Sequence, residues 1–288
     1  MPARNSSAPA KNSKVRAPRS RLAPPAKPPR AYDWWLWAGR PTFEGACEAL
    51  AFQYAVLDEL VQPLLAGDWR DVARRDRRCA AVRLTRLTAI AEEVVAATRE
   101  APGPPSELDA VDWFRRGSTS SATEAEGQAE AKADAGRPVR TGIANIAAQH
   151  RAATATAIAV LRSGEADLIL GGPAQGLELA EFTVTRLVAA VVHGLDLAQA
   201  LGRPGHADPV AINLVSGFLA AVAERGGEPG SAPIAVDGQG SLITLAGERH
   251  KARIPAVDWI QASTGRRPAD QLLPHTHAWL AAELPLVA

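Results

Sequence analysis

Thr185-Arg186-Leu187-Val188-Ala189-Ala190-Val191-Val192-His193-Gly194-Leu195-Asp196-Leu197-Ala198-Gln199-Ala200-Leu201-Gly202 has the pattern of the central helix of a bundle. Leu187, Val188, Val191, Val192, Leu195, Leu197 and Leu201 leave it apolar around most of its circumference, the mark of a helix buried by neighbours on several sides. Arg186, His193 and Asp196 break that pattern at spacings of seven and three. With Ala189 and Ala200 they share one face, a narrow polar stripe in which chemistry can sit.

Downstream, Gly202-Arg203-Pro204-Gly205 stops this helix, which begins at Leu177 and is the fourth long one. Asp208-Pro209 opens a fifth, with Asp208 as cap and Pro209 in the first turn, carrying Ile212, Val215, Leu219 and Val222. After the Gly/Pro/Ser linker 226–233 the period changes. Ile234–Val236 and Leu242–Leu245 read as two short strands around a Gly-rich turn, and Pro255–Arg266 reads as a helix closed by Gly265.

Upstream, Phe43, Cys47, Leu50, Tyr54, Leu57, Val61 and Leu64 form the seam of helix one. A charged loop, Arg70–Arg78, leads to helix two, which begins at Cys79 and whose face is Leu84, Leu87, Ile90, Val94 and Thr98. Ser106-Glu107-Leu108-Asp109 starts a short helix that buries Trp113 and Phe114. Residues 118–136 are a polar, flexible or marginally helical insertion. Ile143, Ala147, His150, Thr154, Ala157 and Leu161 mark helix three. His150 lies on that face, where a histidine is more often a hydrogen-bonded core residue than a metal ligand. Gly171-Gly172-Pro173 makes a weak phosphate loop, because no Lys-Ser/Thr follows the glycines.

The formal charge of +1 hides a polarised chain: residues 1–30 carry eight Lys or Arg and no acid, leaving the body mildly acidic. That tail is Pro-, Ala- and Ser-rich without hydrophobic periodicity, and we expect it to be disordered. Tyr32-Asp33-Trp34-Trp35-Leu36-Trp37 then crowds four aromatics together, an expected docking segment. No apolar run approaches the roughly 18 residues of a membrane span, and the acidic body offers no nucleic-acid surface. Two cysteines, Cys47 and Cys79, are too few for a disulfide framework or a cysteine zinc site, which points to a reducing cytoplasm. His275 and His277 read as solvated side chains that could ligate a metal only with outside partners.

The run Arg186-x-x-x-x-x-x-His193-Gly194-x-Asp196-Leu197-Ala198-x-Ala200-Leu201-Gly202 resembles the fourth helix of the mycothiol-dependent maleylpyruvate isomerase family, and Asp258-Trp259-x-x-x-x-Thr264-Gly265-Arg266 resembles the sterol-carrier-like region often fused to it. Leu284–Val287 is similar to the usual ending of that region. The resemblance implies a mainly α chain: a DinB-like four-helix bundle over 31–227, after the basic tail 1–30, and a small α+β C-terminal domain over 228–288. It also implies an actinobacterial setting, which the Ala- and Arg-rich composition fits, and a zinc or other divalent metal that activates mycothiol. His193 matches one metal ligand. Ile90 and Ala189 occupy the other two ligand positions, where the family has histidine and glutamate, and one imidazole between two aliphatic residues is no zinc site.

Three functions follow. The first is a divergent member with a degenerate metal site that binds a small molecule or partner, with Arg186 and Asp196 as the candidate ligand-binding residues. The second is an active metal- and mycothiol-dependent isomerase or thiol transferase, using rearranged ligands such as Asp196 and His150. In the third the C-terminal domain is a lipid-carrier or interaction module. We favour the first, with a His193–Asp196 hydrogen bond facing Arg186, and the sequence leaves substrate and oligomeric state open.

Overall fold

A computed structural model describes residues 41–65, 74–105, 109–118, 143–174, 176–203, 205–226, 234–236, 242–246 and 251–272. The basic tail, the Tyr32–Trp37 cluster, nearly all of the 118–136 insertion, the Gly-rich turn at 237–240, His275, His277 and Leu284–Val287 lie outside them. The described chain is mainly helical. Its helices are α1 (Phe43–Leu65), α2 (Arg74–Arg99), α3 (Ala110–Ser118), α4 (Ile143–Ser163), α5 (Leu179–Ala200), α6 (Pro209–Gly226), α7 (Ala256–Ser263) and α8 (Ala269–Leu272). Three strands, β1 (Ile234–Val236), β2 (Leu242–Ala246) and β3 (Lys251–Pro255), form an antiparallel sheet in that order.

The four long helices α1, α2, α4 and α5 pack side by side. Both α1 and α2 lie against both α4 and α5, so α1 and α2 hold opposite corners of a square. Leu50 and Leu57 from α1, Leu84 and Leu87 from α2, Leu161 from α4, and Leu187 and Val191 from α5 are fully buried in one core. The quoted stretch is therefore the buried helix its apolar circumference predicts.

Several ends fall where the side chains place them. Asp208 Oδ1 accepts the Val210 and Ala211 backbone N–H groups, capping α6, and the Asp208 N–H donates to Gln53 Oε1 on α1. Asp208→Ala removes that cap and leaves the Gln53 contact, and is expected to lower stability by about 1 kcal/mol in urea unfolding. An unchanged midpoint would contradict the capping role. Asp109 caps α3 by accepting the Asp112 N–H, and its carboxylate also takes both guanidinium arms of Arg225 from the end of α6. Phe114 on α3 then meets Phe218 on α6 edge to face, 5.3 Å between ring centroids.

Two sequence boundaries shift. Helix α2 starts at Arg74, inside the charged run assigned to a loop, because arginine is a good helix former and a helical turn can form without an apolar period. The C-terminal region has a third strand: Lys251–Pro255 pairs with β2, and Pro255 ends that strand before α7 begins. The glycines at 171 and 172 serve a close approach. A Cβ on Gly171 would lie 2.3 Å from the Ala101 carbonyl oxygen, and the Glu100 carboxylate fills the space beside Gly172.

The C-terminal elements rest on the bundle through α6, which touches both β1 and α7. Trp259 is fully buried and its Nε1–H donates to the Ser216 carbonyl, while Ile254 and Ile260 join the main core. The α7 helix closes at Gly265, whose φ of 67° is natural only to glycine. Its N–H bonds the Ala262 carbonyl and the next N–H, of Arg266, bonds that of Gln261. This turn sends the Arg266 side chain back onto α5.

Candidate functional site

Helices α2 and α5 meet through a ladder of polar side chains. Arg83 Nη1 lies 3.3 Å from Asp196 Oδ2, and two to three turns along, Arg186 Nη1 pairs with Glu93 Oε2. Between these rungs the Arg86 charge acts on His193. Advancing along α2 by three, four and three residues matches retreating along α5 by the same steps, which is the contact of two antiparallel helices. In that register Ile90 falls opposite Ala189, one turn from His193. Ile90 is buried and Ala189 packs against the core.

The expected stripe is thereby split. Its lower half is an ionic cluster centred on Asp196, which faces Arg83, Arg266 at 3.4 Å and His193 Nδ1 at 3.6 Å. The last separation exceeds a hydrogen bond, and Nδ1 is a buried atom without one. The expected His193–Asp196 pair is thus present as a close i,i+3 contact just beyond hydrogen-bond length, but it does not face Arg186: Asp196 is drawn toward two guanidinium groups and Arg186 turns to Glu93. Burial lowers the His193 pKa, and Arg266 and Arg86 lower it further against the pull of Asp196. Against the upward push of burial, His193, Arg266 and Arg83 hold the Asp196 carboxyl below its usual range. Near neutral pH the cluster therefore combines a neutral imidazole, one carboxylate and the charges of Arg83, Arg86 and Arg266, an excess of positive charge.

The upper half is aromatic. Arg186 lies over the Phe182 ring at 4.8 Å and the Trp113 ring at 5.8 Å, and its Nε–H donates to Thr185 Oγ1. Nearby, His150 on α4 stands apart from His193. It is buried beside Thr88 of α2 and Tyr54 of α1.

A zinc site of the family kind does not fit these residues. The register brings Ile90, Ala189 and His193 to one level, but only the imidazole can coordinate, and no group of three His, Cys, Asp or Glu side chains suited to a metal occurs among the described residues. Cys47 is buried in the α1 seam and burial pushes its thiol up to about 11, which makes it a poor nucleophile. No described helix is long and apolar enough to cross a membrane.

Sequence reasoning found Arg186, His193 and Asp196 and missed Arg83, Arg86, Glu93 and Arg266. A signal for the first three was present: Arg83, Arg86, Ile90 and Glu93 repeat on α2, in reverse, the spacing of Arg186, Ala189, His193 and Asp196 on α5. Comparisons with family models, curated proteins and solved structures found no match to this chain.

Proposed function

We propose that this chain is a divergent, cytoplasmic member of the mycothiol-dependent maleylpyruvate isomerase family, a DinB-like bundle with a sterol-carrier-like C-terminal module, in which the α2–α5 seam has exchanged metal chemistry for binding of a small anionic molecule. The observation that carries this reading is the helix register. It brings Ile90 of α2 to Ala189 and His193 of α5, the three positions at which the family resemblance places ligands, and two of them are aliphatic.

The anion is argued from charge. Arg83, Arg86 and Arg266 repel one another around the single carboxylate of Asp196. A carboxylate or similar anion entering beside His193 relieves that repulsion with charge-assisted hydrogen bonds, which planar guanidinium groups form in pairs. Arg266 comes from the C-terminal module and Arg83 from the bundle, so such a ligand would bridge the two.

Two measurements test the reading. Protein purified without chelator is expected to carry no stoichiometric zinc, and zinc that disappears in His193→Ala would sink it in favour of an active metalloenzyme. In titration calorimetry, a simple dicarboxylate such as maleate is expected to bind wild-type protein and to bind Arg266→Ala about 10-fold more weakly, the loss of one charge-assisted contact of about 1.4 kcal/mol. Equal affinity for the two proteins would remove the anion from the proposal.

A further inference from the structure

The bundle interior holds a second polar place, bordering the α2–α5 seam at the Arg186–Glu93 pair, both of whose charges act on Tyr54. Tyr54 on α1 and His150 on α4 are buried, with 5 % and 1 % of their surface exposed, and their rings meet edge to face with centroids 6.2 Å apart. Tyr54 Oη and His150 Nε2 are both buried without a hydrogen-bond partner among the described residues. Interior polar atoms left in this state carry the full cost of leaving water, which is why folded proteins pair them with one another or with an enclosed molecule.

The protonation state of His150 follows from its other nitrogen. Thr88 Oγ1 donates to the Leu84 carbonyl at 2.8 Å, so toward His150 Nδ1, 3.5 Å away, it offers a lone pair. The proton therefore belongs on Nδ1, and Nε2 presents a bare lone pair to the interior. Tyr54 offers the opposite, an O–H donor that burial keeps protonated. With the two rings in contact, a small group that both donates and accepts and lies between them would satisfy both. A hydroxyl does so without charge, whereas an ion would have to shed its water beside an imidazole that burial keeps neutral, with the neighbouring Arg186 already paired to Glu93.

We propose that Tyr54 and His150 frame an interior binding site for a small neutral hydroxyl, either water or the hydroxyl of a small organic molecule, that donates to His150 Nε2 and accepts from the Tyr54 O–H. The bound group ties α1 to its neighbour α4, with Thr88 fixing the imidazole from α2.

The full-length protein tests this. Deleting a hydroxyl that holds such a molecule lowers stability, whereas deleting an unpaired one raises it. Tyr54→Phe is expected to lower Tm by about 2–4 °C. Adding His150→Leu to it is expected to lower Tm by less than the sum of the two single changes, since the double variant no longer needs the bridging group. A Tm for Tyr54→Phe equal to or above wild type overturns the proposal. So does a nitrogen NMR signal for His150 Nε2 at the position of an imine nitrogen that accepts no hydrogen bond. A water cross-peak at the His150 ring assigns the hydroxyl to water, and a small mass retained in native mass spectrometry of wild type and lost in the double variant assigns it to an organic ligand.

Discussion

Ile90→His/Ala189→Glu is expected to take up one zinc ion per chain, where the wild-type protein takes up none. Helices α2 and α5 already place these two positions one level from His193, and a histidine and a glutamate there would complete a three-ligand set with an open fourth position. The substitutions also bring polar groups into a packed place, since Ile90 is buried, so the metal-free variant should be less stable than wild type by about 2 kcal/mol. Zinc reverses the sign. At a free concentration 100 times its Kd it adds about 2.7 kcal/mol, seen as a melting temperature that climbs with zinc. Elemental analysis and thermal scans in a zinc series check both statements. Zinc uptake that survives His193→Ala, or none in the double variant, would show that the three positions do not share one site.

Acid should destabilise the protein through His150. Burial lowers the pKa of this imidazole from 6.5 to about 4, against a smaller upward pull from Asp58. Between those values the unfolded chain binds a proton that the folded chain refuses, so stability falls as pH drops. The contribution is fully present above pH 6.5 and is lost progressively down to about pH 4, amounting to about 3 kcal/mol. His193 acts in the same direction, because burial lowers its pKa too. Urea unfolding across this window should therefore show a steep pH slope in wild type and a much shallower one in His150→Gln. Equal slopes would place the acid sensitivity elsewhere.

How much of this was legible in the sequence depends on the range of the interaction involved. The apolar circumference of α5, the Asp208 cap and the stop at Gly265 are local and were read correctly, because each is written within one or two turns of chain. The N-terminal turns of α2 were missed because a run of arginine has no hydrophobic period. The third strand was missed because Lys251-Ala252-Arg253-Ile254-Pro255 is short and ends in proline, and only pairing with β2 makes it a strand. At the site, spacing on α5 fixed which residues share a face and said nothing of what faces them. Arg186 and His193 stand on one stripe and serve different partners, Glu93 and the Asp196 cluster, because the opposite helix changes its residues along its length. Arg266 was beyond any pattern in the bundle, since its position depends on how α7 docks.

That docking bears on how this architecture can be inherited. Trp259 is sealed against the Ser216 carbonyl and Arg266 reaches Asp196, so besides the apolar contacts of Ile254 and Ile260 the C-terminal elements meet the bundle through an indole and a guanidinium fitted to particular atoms. A module fastened in this manner is a poor cassette. Moved to another bundle, it would bring an indole without its slot and a cation without its acid, so substitutions around Ser216 and Asp196 should track those at Trp259 and Arg266.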